Sequence, residues 1–148
     1  MFAVPENTIP SAAAAAATVH PALIARRYAS AREQWAHLLR YDPDERYTAL
    51  VHRTPEQEVW LMSWLPGQGT DLHDHGAAGG AFTIVSGELT EHVVHRGTTL
   101  AVGIGQTRVF GPGYVHVVGN EGPDPAVSIH VYRAARTMRL YPSLSRVS

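Results

Sequence analysis

The sequence predicts a mainly β fold, a jelly-roll barrel with helices packed against its outside, and three observations carry that prediction. From Tyr47 onward, β-branched and aromatic residues alternate with polar ones over short runs, the period of a half-buried strand. Glycine and proline punctuate those runs roughly every eight to twelve residues, as in a series of short antiparallel strands. No helical pattern interrupts them, which argues against an alternating α/β architecture and for a sandwich or barrel. At 148 residues, 45% hydrophobic and with a formal net charge of −1, the chain is sized for one well-buried core.

The stretch Met1-Phe2-Ala3-Val4-Pro5-Glu6 lacks the positive region that opens a secretory signal. The alanine run 12–17 is too short and too weakly apolar to span a bilayer, and reads as a helical lead-in after an Ile9-Pro10-Ser11 cap. The helical pattern extends from Pro10 to Arg40: Pro21 suits a first turn, and Leu23, Ile24, Trp35, Leu38 and Leu39 can form an apolar face. Asp42-Pro43-Asp44 closes it. Strands are expected near 46–53, 57–65, 70–75, 80–86, 88–95, 98–103, 106–110, 114–119, 126–133 and 137–141. The expected organisation is one domain, a helical segment 1–45 packed on a barrel formed by 46–148.

Composition narrows the function classes. With no cysteine, disulfides, thiolate metal ligands and cysteine nucleophiles are excluded, and a cytoplasmic location fits. No long basic run suits nucleic acid or an anionic membrane, so neither is an expected partner.

Of nine histidines, three stand in a distinctive frame. His73 and His75 alternate in Asp71-Leu72-His73-Asp74-His75, which puts both imidazoles on one face of a strand and Asp74 on the other. His116 follows in a second strand, in Gly113-Tyr114-Val115-His116. A lone histidine in a strand is more often packed or on the surface than a ligand, and His20, His37, His52, His92 and His95 are read that way. His73, His75 and His116 differ because their spacing gathers three imidazoles inside one barrel. Structural zinc normally takes four protein ligands; here neither a cysteine nor a neighbouring carboxylate supplies the fourth, so the coordination is open. Zinc, copper, nickel, manganese and iron all suit three histidines, and affinity alone does not select iron. Three neutral ligands would leave a divalent cation uncompensated, which suits an anionic ligand such as a thiolate.

In Ser128-Ile129-His130-Val131-Tyr132, the serine, histidine and tyrosine share one strand face, and Val127, Ile129 and Val131 share the other. By alternation alone the polar row fits either the solvent face of an edge strand or the barrel interior. An inward polar row is costly unless its members bond to one another and to something bound.

The frame around the histidines resembles the two cupin motifs. Gly67-x5-His73-x-His75-x4-Gly80-x6-Gly87 matches the first, with Gly80 where many cupins carry a glutamate ligand. Gly105, then Gly113-x2-His116-x3-Asn120, matches the second, with its proline displaced by one to Pro112. The implied fold is a cupin, a jelly-roll or double-stranded β-helix barrel. His73-Asp74-His75, Ser86-Gly87-Glu88-Leu89, His116 and Ser128-x-His130-x-Tyr132 together resemble the cysteine dioxygenase family of thiol dioxygenases, over roughly Tyr47 to Tyr132. The resemblance implies iron(II) on His73, His75 and His116, and a relay of Ser128, His130 and Tyr132 whose hydroxyl sits over the substrate. It implies a small thiol and O2 as reactants, a sulfinic acid as product, and a monomer or homodimer. Tyr47 falls where the family places a further active-site tyrosine.

Two departures follow. Animal members carry at the position of Gly80 a cysteine cross-linked to the relay tyrosine; with no cysteine, Tyr132 here is unmodified. Ala49 stands where cysteine-specific members place the arginine that grips the substrate carboxylate. Arg53, Arg108, Arg136 and Arg139 are the remaining candidate cations, each with a surface role as its default reading, and Arg139 is the candidate counterpart of the carboxylate-gripping arginine that mercaptopropionate-type relatives carry beyond the relay tyrosine. Cysteine, 3-mercaptopropionate, cysteamine and a larger thiol are thus all candidate substrates. Two other readings remain: a metal cupin acting on a non-thiol, which has no use for the polar row, and a non-catalytic metal- or small-molecule-binding cupin.

Overall fold

The computed structural model describes residues 19–75, 78–133 and 139–140. Among the described residues, ten strands form two five-stranded sheets. The first runs β1 (Tyr47–Arg53), β2 (Gln57–Trp64), β9 (Ala126–Arg133), β4 (Gly80–Ser86), β7 (Thr107–Phe110). The second runs β10 (Arg139–Leu140), β3 (His73–Asp74), β8 (His116–Gly119), β5 (Leu89–Val93), β6 (Thr98–Val102). Neighbours pair antiparallel throughout. This is the jelly-roll arrangement the glycine-punctuated alternation predicts.

The strand at 70–75 is the one that shrinks most. Only His73–Asp74 pairs as a strand; upstream, the chain is held by an isolated bridge between Gly69 and Gly119 and by the Thr70 amide donating to the Val118 carbonyl at 2.8 Å. His75 lies just past the strand, yet it is buried with His73.

Helix α1 (Pro21–Ser30) starts where proline sits in the first turn and the His20 ring nitrogen accepts from the Ala22 amide at 3.0 Å. His20 therefore has a capping role. The lead-in over 10–18 lies outside the described residues. Two short 3-10 turns follow, Arg32–Gln34 and Ala36–Leu38, and the Asp42 carboxylate accepts from the Asp44 amide at 2.8 Å in the expected closing turn. The buried stripe of α1 is Pro21, Ile24 and Ala25, at i, i+3 and i+4. Leu23 falls off that stripe and is 53% exposed, a correction to the predicted apolar face.

The strand β9 decides where the polar row points. It lies at the centre of its sheet, between β2 and β4, so it has no edge to offer solvent. Val127, Ile129 and Val131 pack outward with Val59 and Leu61 of β2 under Ile24, Ala25 and Trp35. Trp35 is fully buried there, its indole N–H donating to the Tyr28 carbonyl at 2.7 Å. The other face of β9 meets the interior: Ala126 and Tyr132 join Trp64, Phe82, Leu89, Val102 and Val118, drawn from both sheets. Ser128 and His130 are therefore inside the barrel.

Candidate metal centre

His73 and His116 are direct partners across the β3–β8 pairing, and His75 closes the third corner. Their ligand atoms all lie within 4.8 Å of one another, and all three side chains are buried. Each ring's second nitrogen matters as much as the first. The His73 Nδ1 is 2.7 Å from the Asp71 carbonyl, which can only accept, so Nδ1 carries the proton and Nε2 keeps its lone pair. Burial, then the nearby His116, lowers the His73 pKa to about 4, so the imidazole is neutral. His116 Nδ1 lies 2.8 Å from Glu91 Oε2, and its Nε2 is buried with no hydrogen-bond partner among the described residues. A lone pair left unpaired inside a core is a cost a bound cation removes. The three histidines fit a divalent metal.

No carboxylate can join them from Gly80. A Cβ there would sit 2.6 Å from the Phe110 ring and against the Val131 carbonyl, so the position takes no side chain. Phe110 fills that space, its ring 4.8 Å from His75 and 5.8 Å from Tyr132. Asp74 is fully buried rather than turned to solvent. Asn120, the last residue of the second motif, holds the framework: its amide donates to the carbonyls of Trp64 and Asp124 at 2.9 and 2.8 Å.

The expected uncompensated charge needs correction. Glu91, not singled out in the sequence, is fully buried and reaches the site through His116. Burial alone would raise its pKa, but the hydrogen bonds from His116 and from Arg108, whose Nε donates at 2.7 Å, outweigh this and lower it. Its signal was readable: Leu89 and Val93, at i−2 and i+2, mark the inner face of β5, so a carboxylate between them points inward.

Facing the histidines, the polar row is hydrogen-bonded. Ser128 Oγ accepts from the Trp64 indole N–H at 2.9 Å and lies 2.8 Å from His130 Nε2; His130 Nδ1 lies 3.4 Å from the Tyr132 hydroxyl. An indole only donates, so the serine proton is best placed on the His130 Nε2 lone pair; His130 Nδ1–H then points to the tyrosine oxygen. Burial, then the positive Arg46, drives the His130 pKa well below its ordinary value and keeps the ring neutral, as that polarity requires. Phe82 stacks on His130, centroids 5.0 Å apart at 13°, and fixes the ring plane.

Both groups open on a cavity of about 370 Å³, the size of a small-molecule site. His130 and Tyr132 line it with the three histidines, while Ser128 sits behind. Arg46, unremarked in the sequence, also lines it. Its guanidinium lies 5.3 Å over the Trp64 ring and 4.0 Å from the Met62 sulfur, and the charges of Glu45 and Asp71 partly offset the lowering of its pKa by burial. Tyr47 does not face the cavity. Thr48 pairs with inward Met62, so Tyr47 and Ala49 take the other face; the Tyr47 hydroxyl donates to the Leu38 carbonyl at 3.2 Å, and Ala49 packs against the outer cluster. Arg53 is tied to Glu58 at 3.0 Å on the surface, and Arg108 to Glu91. Arg136 and the Arg139 side chain lie outside the described residues, although the Arg139 backbone pairs with Asp74. Among the histidines read as packed or on the surface, His92 bonds Thr99 and Glu121, both at 2.9 Å.

Among curated proteins none matches the sequence. Among solved structures the chain is similar to an uncharacterised conserved protein with a double-stranded β-helix domain from Klebsiella pneumoniae (25% identity, TM-score 0.66, covering 72% of this chain and 93% of that one). It is similar also to a protein from Thermus thermophilus (24%, 0.61, 66% and 91%) and to a cupin superfamily protein from Desulfitobacterium hafniense (10%, 0.58, 68% and 87%), and these two likenesses concern the fold alone. The fold is that of the cupins, as the motif spacing implies. The sequence matches cysteine dioxygenase type I over residues 8–141, nearly its whole length, and the chain belongs to that family.

Proposed function

We propose that the protein is an iron(II)-dependent thiol dioxygenase, converting a small thiol and O2 to the sulfinic acid. The observation that carries this reading is the hydrogen-bonded Ser128–His130–Tyr132 row facing the three-histidine cluster across one cavity. A metal cupin acting on a non-thiol has no use for that row. Overall, RSH and O2 give RSO2H: sulfur is oxidised by four electrons, and both oxygen atoms of O2 end on it.

Iron(II), when bound, supplies a Lewis acid that favours the thiolate and the one-electron chemistry that lets dioxygen react with it. The protein's own groups do the rest. His73, His75 and His116 would hold the metal, and the cavity they line with His130 and Tyr132 would receive the reactants. His130 accepts from Ser128 and donates towards Tyr132, fixing the tyrosine oxygen and directing the hydroxyl proton away from the relay, where it can stabilise negative charge on the reacting oxygen or sulfur. Phe110 and Trp64 give the same cavity apolar ring surface.

Arg46 supplies the cation for a substrate carboxylate, in place of the arginine missing at Ala49. Its guanidinium lines the cavity with the three histidines, and its planar fork of donors suits a bidentate carboxylate. Carboxylate-bearing thiols, cysteine and 3-mercaptopropionate, are therefore the substrates we expect. The test is oxygen uptake by iron-loaded protein across a panel of cysteine, 3-mercaptopropionate and cysteamine, with product mass measured. Uptake with the acidic thiols and sulfinate as product is the expected result; folded, iron-loaded protein inert toward the whole panel would refute the reading.

A further inference from the structure

Glu91 does not line the cavity, yet it is a fully buried carboxylate bonded to one of the three clustered histidines. It is fully buried on the inner face of β5, in the row Leu89, Glu91, Val93, where its neighbours are apolar. Pairing of β5 with β8 sets Val93 opposite His116 and Glu91 opposite Val118, so the carboxylate reaches back along the sheet to the histidine. Both oxygens are used: Oε2 accepts from His116 Nδ1 at 2.8 Å, and Oε1 from Arg108 Nε at 2.7 Å. Arg108 is partly exposed and also lies 3.4 Å from the Tyr114 hydroxyl. A line thus runs from the cavity to the surface: His116, Glu91, Arg108.

Burying a carboxylate costs several kcal/mol unless strong partners hold it, and a leucine would complete the row more simply. The reason for a carboxylate here is therefore electrostatic. We propose that Glu91 is a positioning and charge-balancing residue for a divalent metal on His73, His75 and His116, and that Arg108 sets how much of its charge the metal feels. The inference rests on those three histidines binding metal, not on the thiol reading. Glu91 fixes the proton of His116 on Nδ1, aims Nε2 at the other two rings, and raises the imidazole's donor strength, the role of a carboxylate behind a ligand histidine. It also returns negative charge to an otherwise all-neutral ligand set. Arg108, on the far oxygen, draws that charge away.

This arrangement makes a prediction of opposite signs. Removing the carboxylate charge weakens metal binding; removing the guanidinium strengthens it. The experiment is a chelator-competition titration of metal-free protein with Zn²⁺ near pH 8, comparing wild type, Glu91→Gln and Arg108→Gln. Glu91→Gln is expected to weaken binding roughly 10- to 100-fold, and Arg108→Gln to tighten it. A purely structural ion pair would weaken binding, or leave it unchanged, in both variants, and either pattern overturns the proposal. Should Glu91→Gln fail to fold, Arg108→Gln at its partly exposed site still decides: equal or weaker affinity than wild type refutes the inference. Wild type that takes up no Zn²⁺ refutes both this inference and the metal site itself. Zn²⁺ uptake with the predicted signs in a protein inert toward thiols leaves this inference standing and removes only the thiol reading.

Discussion

His73 and His116 face each other directly across the β3–β8 pairing, with their ring centroids 4.6 Å apart. With the His116 Nε2 buried and without a hydrogen-bond partner among the described residues, a cation shared by the two rings is what satisfies it. His116→Ala is therefore expected to abolish stoichiometric metal uptake while the barrel still folds. Metal analysis by plasma mass spectrometry, alongside a circular dichroism spectrum, checks it; full metal retention would remove His116 from the ligand set.

Tyr132→Phe keeps the ring packed against His75, centroids 4.7 Å apart, and removes only the hydroxyl. Turnover should fall about 100-fold, the scale of losing one positioned proton donor, with metal content unchanged. Steady-state oxygen uptake on metal-quantified protein measures it, and unchanged turnover would mean the relay ends nowhere useful.

Arg46→Gln separates substrate recognition from chemistry. A charged hydrogen bond contributes about 1.5–3 kcal/mol, so KM for cysteine or 3-mercaptopropionate should rise roughly 10- to 100-fold. Cysteamine, without a carboxylate, should be little affected. A uniform effect on all three thiols would show that Arg46 supports the fold rather than the substrate.

The buried His73 makes the metal-free protein acid-sensitive. Its pKa is lowered from 6.5 to about 4, so between those values the unfolded chain takes up a proton that the folded protein refuses. Stability is then fully present above 6.5 and declines as pH falls towards 4, by up to about 3 kcal/mol from this group. His130 and Glu91, both shifted down, act with the same sign. Denaturant midpoints of metal-free protein across this range test it; a flat profile would contradict the buried neutral imidazoles.

The strands were legible because a half-buried strand writes its period into the sequence, and glycine and proline mark where it turns. The polar row of β9 was legible as a row, but its direction was not: alternation names two faces without saying which is inside. Only the central place of β9, between β2 and β4, decides that. The same ambiguity misled at β1, where Tyr47 and Ala49 share one face and Arg46 and Thr48 the other. The pairing with Met62 and Leu61 gives the cavity to Arg46. The inward place of Glu91 was legible from Leu89 and Val93, but its partner was not, because β5 brings it to His116 across 25 residues.

The central claim is that both oxygen atoms of O2 are placed on a thiol sulfur. Iron-loaded protein turning over an acidic thiol under ¹⁸O2 in ordinary water tests it most directly. The sulfinate is predicted to carry two heavy oxygens per molecule; a product carrying none, or only disulfide, would contradict the account.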